Sequence, residues 1–259
     1  SGAAEVCGIA GIFDRSGVRP SAELLIAMRD VMVERGPDDA GLLTAPGIGL
    51  AHRRLAIMDL SPAGHQPMAN EDETVWVVFN GEIYDHGALR DELAACGHRF
   101  RSRSDTEVLL HGYEEWGIER LLPRLHGMFA FALWDARRRS LILARDRLGI
   151  KPLYYSHTPH AFRFASNSQA LLTAPDTDTT IDPIGLHHQL TLHAVIPAPR
   201  TILKGIRKLA PATTLTIDAS GAIRTRTYWH LQAMRPAEPR TEAEWTEAVH
   251  AALRLAVRR

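Results

Sequence analysis

The chain has 259 residues, of which 45% are hydrophobic and 23% charged, a composition typical of a soluble globular protein. Its 30 basic and 30 acidic side chains balance, so no excess of positive charge indicates a nucleic-acid partner. No apolar run is long enough to span a membrane, and the first six residues lack the core of a signal peptide. Two cysteines, Cys7 and Cys96, are too few for a disulfide framework, which favours a reducing cytoplasm.

The first predicted element is an apolar, glycine-spaced strand, Cys7-Gly8-Ile9-Ala10-Gly11-Ile12-Phe13, with one thiol at its leading end. Glycines weaken a strand unless a ligand or another backbone approaches it closely. Cys7 is therefore a candidate nucleophile. Free cysteine is also among the most commonly buried residue types, so a core thiol is the alternative from this stretch alone.

Helices and strands then follow one another along the chain. A helix capped by Ser21 ends at the turn Arg35-Gly36-Pro37-Asp38, and the β-branched and aromatic run 75–79 is the clearest strand, ending at Asn80-Gly81. From Met128 onward, short connectors between apolar runs predict antiparallel hairpins. Helices that flank mainly antiparallel strands predict a layered α+β architecture and not a doubly wound parallel sheet.

The last third of the chain differs in character. Residues 174–180 are predicted to be a connector, and a small β region follows around 213–229. Thr241-Glu242-Ala243-Glu244 has the form of a capping box, and the helix that it starts carries an apolar stripe. We therefore expect a domain boundary after residue 173 and a final helix that belongs to a further domain.

Several polar groups stand at the ends of apolar elements, where a rigid scaffold can aim them. Arg54 follows a strand, Asn80-Gly81-Glu82 ends another, and Asp105 begins a helix. A guanidinium suits a carboxylate, and an amide beside a glycine N–H can hold an oxyanion. With a thiol, these groups are suited to hold an α-amino acid and attack its side-chain carbonyl. The structural alternatives are an acid partner for Arg54, a hairpin turn at Asn80-Gly81, and a simple helix cap at Asp105.

Seven sequence runs together carry a resemblance to a known family, and they cover nearly the whole chain: Cys7-Gly8-Ile9-Ala10-Gly11-Ile12-Phe13, Arg35-Gly36-Pro37-Asp38, His52-Arg53-Arg54-Leu55-Ala56-Ile57, Phe79-Asn80-Gly81-Glu82-Ile83-Tyr84, Ser104-Asp105-Thr106-Glu107-Val108, Gly127-Met128-Phe129-Ala130-Phe131-Ala132 and Arg145-Asp146-Arg147-Leu148-Gly149-Ile150-Lys151-Pro152-Leu153-Tyr154. By these runs, which occur in family order, the chain resembles the N-terminal glutaminase half of asparagine synthetase B-type enzymes, which are class II glutamine amidotransferases.

The resemblance implies an N-terminal-nucleophile (Ntn) hydrolase fold, an αββα four-layer sandwich with two mainly antiparallel sheets between helical layers. Carried over by position, Cys7 is the nucleophile, and Asn80 with the Gly81 N–H forms the oxyanion hole. The residues assigned to substrate binding are Arg54 for the glutamine α-carboxylate, Glu82 and Asp105 for its α-amino group, and Ile57, whose backbone lines the pocket.

The implied reaction releases ammonia from glutamine through a cysteinyl thioester, with the α-amine of Cys7 as base. The ammonia then amidates an ATP-activated carboxylate, either aspartate or a related acid or peptide. No cofactor or metal is expected in this chain, whereas ATP and Mg²⁺ are expected in the synthetase domain. The expected partners are glutamine and a C-terminal ATP-pyrophosphatase synthetase domain, with a homodimer left open and neither nucleic acid nor membrane.

The implied organisation has three parts. Residues 1–6 are a leader or an expression remnant, and residues 7–173 form the glutaminase domain. Residues 174–259 contain the connector, the small β region and the first helix of a truncated ATP-dependent synthetase domain. Because a leader makes the Cys7 nitrogen a non-basic amide, we expect the chain to need its removal for activity.

Two alternatives follow from the same resemblance. The run 193–204 resembles a branch that amidates a glutaminyl-glutamine dipeptide, which leaves the acceptor open. The alternative function is a catalytically silent Ntn-type scaffold of a β-lactam-synthetase-like or other amide-forming enzyme. Relatives of that kind lose the nucleophile, so the presence of Cys7 favours the amidotransferase.

Overall fold

The computed structural model describes residues 7–159, 161–234 and 238–258, so the predicted leader lies outside the described residues. The strands of these ranges are β1 (Gly8–Asp14), β2 (Asp39–Ala45), β3 (Ile48–Arg54), β4 (Met68–Ala69), β5 (Val75–Ile83), β6 (Gly127–Asp135), β7 (Ser140–Arg145), β8 (Tyr154–His157), β9 (Ala161–Ala165), β10 (Arg207–Lys208), β11 (Thr213–Ile217) and β12 (Ile223–Thr227). The α-helices are α1 (Ala22–Asp30), α2 (His86–Ala95), α3 (Thr106–Leu121), α4 (Ser168–Leu172), α5 (Pro183–Thr191) and α6 (Glu242–Arg258). None of the helices in these ranges combines the length and hydropathy needed to cross a bilayer.

The strands form two six-stranded sheets, with the orders β10-β8-β9-β1-β3-β2 and β12-β11-β7-β6-β5-β4. Neighbouring strands pair antiparallel throughout the described residues. β1 lies inside the first sheet, with β3 on one side and β9 on the other. The strand that follows the thiol is therefore held on both edges, and the predicted antiparallel α+β architecture is confirmed.

Alternation along β1 divides its side chains between two cores. Ile9 and Phe13 are buried between the two sheets, whereas Ala10 and Ile12 face the helices that cover the first sheet. A Cβ on Gly11 would lie 2.3 Å from the Phe164 ring, so only glycine allows that ring to pack on the strand. The glycine spacing of this strand thus serves close packing of the core.

Three buried clusters show the order of the layers. One lies between the sheets, where the rings of Phe13 and Trp134 approach to 5.7 Å between centroids. Another joins the first sheet to α1 and α4, and the third joins the second sheet to α2 and α3. Burial of each large apolar side chain contributes about 1.5–3 kcal/mol before the entropy cost of ordering it. The resulting sequence of layers is helix, sheet, sheet, helix, as the resemblance implied.

The first compact unit runs through Trp229, past the boundary predicted after residue 173. β11 pairs with β7, and its Leu215 and Ile217 are buried in the core between the sheets. Residues beyond 173 join this unit because the apolar side chains of β11 are buried between the two sheets, beside strands far earlier in the sequence. The small β region is part of the second sheet.

The second compact unit, His230–Arg259, contains α6. At its start the Glu244 N–H donates to the Thr241 hydroxyl at 3.3 Å, and the Thr241 N–H donates to the Glu244 carboxylate at 2.7 Å. This reciprocal pair is the predicted capping box.

Candidate active site

One cavity of about 190 Å³ brings together the predicted site residues. It is formed by the start of β1, the end of β3 with its following loop, the end of β5 and the start of α3. All seven predicted residues line it: Cys7, Arg54, Ile57, Asn80, Gly81, Glu82 and Asp105. Ile57 is the most exposed of them, with 63% of its surface accessible to solvent.

The Cys7 thiol is partly buried and held by the backbone of Leu55. The Leu55 N–H donates to Sγ at 3.4 Å, and the thiol donates to the Leu55 carbonyl at 3.7 Å. Burial raises the pKa of the Cys7 thiol above its ordinary value, while the Leu55 hydrogen bond and the charge of Arg54 oppose that rise. The thiol is therefore mainly protonated at neutral pH, and attack on a carbonyl requires a base.

The outer edge of β5 presents backbone donors to the cavity. The Phe79 N–H donates to Gln66 Oε1 at 2.7 Å, and the Ile83 N–H donates to Asp105 Oδ2 at 2.8 Å. Because backbone groups alternate along a strand, the Gly81 N–H midway between them faces the same edge. A Cβ on Gly81 would lie 2.2 Å from the Met128 carbonyl, so the close approach of β6 requires glycine here.

Asn80 is fully buried, and neither Oδ1 nor Nδ2 has a hydrogen-bond partner among the described residues. An unpaired buried polar group costs about 1–3 kcal/mol, so a ligand that pairs with it recovers free energy. Nδ2 of Asn80 and the neighbouring Gly81 N–H are two donors of the kind that stabilise an oxyanion. Asn80-Gly81 does not end the strand as predicted and is not a hairpin turn, because both residues pair with β6 and β5 continues to Ile83.

Arg54 is a buried cation that forms no ion pair with a carboxylate in the described part of the chain. Its guanidinium donates to three backbone carbonyls of the loop that follows β3, those of Met58 and Ser61 at 3.2 Å and that of Asp59. These bonds fix the loop against the cavity but leave the positive charge without a counter-charge. The structural alternative, an acidic partner for Arg54, is thus absent from the described residues.

Asp105 and Glu82 place two carboxyl groups at the same cavity. Asp105 stands at the start of α3 but makes no side-chain cap bond, because its carboxylate accepts from Ile83 on β5. Burial raises the pKa of Asp105, and burial followed by the charge of Asp105 raises the pKa of Glu82. Two acids whose ionised forms are both disfavoured indicate a site for a cation.

Two further residues of the site had no role in the sequence analysis. Gln66, in the loop before β4, ties the β5 edge to the Thr106 hydroxyl at 3.2 Å. Lys151 is buried and lines the cavity from the loop after β7. The run that contains Lys151 was visible as a motif, but its position at the cavity depends on contacts with distant elements.

A second polar cluster contains His98, His111 and Glu114, whose ligand-type atoms lie within 4.8 Å of one another. The His111 ring nitrogens lie 3.6 Å from Glu107 and 3.5 Å from Glu114. Burial would lower the pKa of His111, but these two carboxylates raise it to about 9. Because a protonated imidazole offers no lone pair to a metal, we interpret the cluster as an internal ion-pair network.

The two-sheet sandwich with a thiol at the head of a central strand defines the Ntn-hydrolase class of fold. A sequence profile described as "Glutamine amidotransferase domain" matches residues 6–229. The chain therefore belongs to the class II glutamine amidotransferase domain family.

The curated relatives include two asparagine synthetases [glutamine-hydrolyzing] of Bacillus subtilis (strain 168). Number 3 is 38% identical over 231 residues and number 1 is 39% identical over 227 residues. The alignments cover 88% and 86% of this chain but only 37% and 35% of those proteins. Asparagine synthetase [glutamine-hydrolyzing] 3 of Arabidopsis thaliana is 47% identical over 152 residues, which are 58% of this chain and 25% of that protein. The matched part of the chain thus spans between a quarter and little more than a third of the length of these relatives.

Solved structures share the fold at low sequence identity. Glutamine phosphoribosylpyrophosphate amidotransferase from B. subtilis, complexed with ADP and GMP, superposes with a TM-score of 0.62 at 18% identity, covering 86% of this chain and 49% of that one. A structure of the allosteric regulatory enzyme of purine biosynthesis superposes with a TM-score of 0.63 at 20% identity. That superposition also covers 86% of this chain and 49% of the other.

Proposed function

We propose that this domain hydrolyses glutamine by acyl transfer to Cys7. The observation that carries the proposal is the charge pattern of one cavity. Within the described residues, its Arg54 guanidinium forms no ion pair with a carboxylate, and its Glu82 and Asp105 carboxyl groups form none with a cation, although the Lys151 ammonium lines the same cavity. The α-carboxylate and α-ammonium of an amino acid supply both missing charges, and each charge-assisted hydrogen bond contributes about 1.5–3 kcal/mol.

With glutamine held by its α-carboxylate and α-ammonium groups, Cys7 Sγ attacks the side-chain amide carbon. The carbonyl oxygen becomes an oxyanion, which accepts from Asn80 Nδ2 and the Gly81 N–H. The amide nitrogen takes a proton and leaves as ammonia, and a glutamyl thioester forms on Cys7. Water then hydrolyses the thioester, so glutamine and water yield glutamate and ammonia and the thiol is restored.

The base in this proposal is the α-amine of Cys7 once Cys7 is the first residue. Its ordinary pKa of roughly 8 allows it to take the thiol proton and pass it to the leaving nitrogen. His52 is the buried histidine of β3, and its Nε2 lies 3.1 Å from the Phe79 carbonyl. Burial lowers the pKa of His52 to about 3, so its imidazole is too weak a base for this step.

We further propose that a C-terminal ATP-dependent synthetase domain uses the ammonia, with ATP and Mg²⁺ bound in that domain. The names of the relatives, glutamine-hydrolysing asparagine synthetases, support this assignment. The acceptor is aspartate or a related acid or peptide, and the setting is the cytoplasm. The presence of the thiol, the oxyanion donors and the head-group residues in one cavity favours a hydrolase over a silent scaffold.

The test is product analysis with the full-length protein, glutamine, ATP, Mg²⁺ and a set of candidate carboxylic acids. We expect stoichiometric glutamate and one amidated acceptor, and ammonia should replace glutamine as nitrogen source. Amide formation from ammonia without any glutamate release from glutamine would instead support the scaffold.

A further inference from the structure

The loop between β7 and β8 is organised around one buried carboxylate. Asp146 is 1% exposed, and its two oxygens accept from four backbone N–H groups. These donors are Phe129 at 3.2 Å, Leu148 at 3.1 Å, Ile150 at 2.9 Å and Lys151 at 3.0 Å. A carboxylate that accepts several N–H bonds is a strong anchor, so the loop has a defined conformation.

The preceding residue, Arg145, donates to two backbone carbonyl groups of the same loop and to that of Leu209. Its guanidinium donates to Lys151 at 2.8 Å, to Gly149 at 2.7 Å and to Leu209 at 2.6 Å. Lys151 is thus held at both its N–H and its carbonyl. One buried side chain, that of Asp146, and one half-buried side chain, that of Arg145, therefore fix the backbone position of one lysine.

The side chain of Lys151 enters the glutamine cavity. The residue is 7% exposed, lines the same cavity as Cys7, and forms no ion pair in the described ranges. A largely buried ammonium that makes no ion pair is costly unless a ligand or a reacting group offsets its charge. Two other cations lie near the thiol: Arg54, which donates to loop carbonyls, and Arg35, which donates to the Cys7 carbonyl at 3.4 Å.

We propose that Lys151 is an electrostatic positioning residue that stabilises the ionised sulfur of Cys7, an inference that rests on the proposed glutaminase function. When the base takes the thiol proton, the sulfur becomes anionic, and the Lys151 ammonium offsets this charge without transferring a proton to it. The charged groups that surround the sulfur come from every neighbouring element: Arg35, Arg54, Glu82, Asp105 and Lys151. The positive charges of Arg54 and Lys151 favour the thiolate, whereas Asp105 opposes it.

The test measures ionisation of Cys7 directly. In a Cys96→Ser background Cys7 is the one remaining cysteine, and its alkylation by iodoacetamide is followed by intact mass from pH 6 to 10. The variants are Lys151→Met, Lys151→Gln and Lys151→Arg, with the exposed Lys204→Met as matched control. We expect the neutral variants, Lys151→Met and Lys151→Gln, to raise the midpoint of the alkylation–pH curve by about one pH unit. They should also slow alkylation at pH 7.5 about tenfold. Lys151→Arg and Lys204→Met should stay within about twofold of the parent.

A neutral variant that is folded by thermal melting and keeps the parent midpoint overturns the inference, as does a Lys151→Arg protein shifted as far as Lys151→Met. If both neutral variants unfold, the Lys151→Arg protein tests the inference, because it retains the positive charge and should therefore keep the parent midpoint of Cys7 alkylation. Alkylation needs no glutamine turnover. A shifted midpoint in a protein that never releases glutamate would therefore contradict the proposed function and not this inference.

Discussion

Two buried acids at the start of α3, Asp105 and Glu107, differ in how completely the protein pairs them. Glu107 accepts from the N–H of Arg101 at 2.7 Å, and from the N–H and hydroxyl of Ser102 at 2.8 and 2.6 Å. Burial would raise its pKa, but these donors and His111 lower the pKa of Glu107 to about 2. Asp105 keeps a raised pKa, because burial outweighs its hydrogen bond from Ile83.

Two buried asparagines show the same difference. Asn70 Oδ1 accepts from Thr74 and Val75, and its Nδ2 donates to Glu114 at 2.7 Å. Asn80 has no partner for either side-chain atom in the described residues. The buried amide of Asn70 is satisfied by neighbouring residues, whereas the amide of Asn80 is left for a ligand to satisfy. This difference between the two asparagines supports the Cys7 cavity as a site for a substrate.

The largest expected effect concerns the residues before Cys7. A chain that begins at Cys7 should hydrolyse glutamine about 100- to 10,000-fold faster than the chain with residues 1–6, because the free α-amine supplies the general base. Glutamate release by the two proteins, each verified by intact mass, checks this. Equal rates would show that another group is the base.

The asparagine pair provides a matched test of the oxyanion hole. Asn80→Ala should lower kcat for glutamine hydrolysis about 10²- to 10³-fold without lowering Tm, since it removes a donor that is unpaired in the free protein. Asn70→Ala should do the reverse, losing about 1–3 kcal/mol of stability while a folded sample keeps its kcat. Kinetics and thermal melting of both variants are needed. A large loss of Tm in Asn80→Ala alone would mean that its amide is structural.

The acid pair tests the ammonium site. Asp105→Asn should raise KM for glutamine about 10- to 150-fold, which corresponds to the loss of about 1.5–3 kcal/mol from one charge-assisted contact. The same variant should leave ammonia-dependent synthesis in the full-length protein unchanged. Glu107→Gln should instead lower Tm. An equal fall in glutamine- and ammonia-dependent turnover of Asp105→Asn would contradict its role as a substrate ligand.

The smallest expected effect is a pH dependence of stability from the His111 cluster. The folded pKa of His111 is about 9, above its ordinary 6.5, so its contribution is complete below pH 6.5 and is lost as pH rises towards 9. We expect the parent to lose about 1–2 kcal/mol more than His111→Asn over that interval, or roughly 3–6 °C in Tm. Thermal melts of both proteins from pH 6 to 9.5 measure this difference. Parallel curves of Tm against pH for the parent and His111→Asn would contradict the ion-pair interpretation.

The seven residues that the sequence assigned to the site line one cavity, and each of them stands in a motif run or at the end of an apolar element. The continuation of β5 through Asn80-Gly81 was not predictable from local turn chemistry, because pairing with β6 overrides it. The first compact unit extends past residue 173 for a similar reason, since β11 pairs with β7 and buries Leu215 and Ile217 between the two sheets. The roles of Gln66 and Lys151 likewise depend on donors and acceptors far away in the sequence.

The central claim is that glutamine is hydrolysed through a thioester on Cys7. The most direct measurement is mass spectrometry of acid-quenched protein after mixing with glutamine, using the chain that begins at Cys7 and its Cys7→Ala variant. We predict a glutamyl adduct on the Cys7 peptide that forms before glutamate accumulates, and neither adduct nor glutamate with the alanine variant. Glutamate release that persists without the thiol, or an adduct on another residue, would contradict the claim.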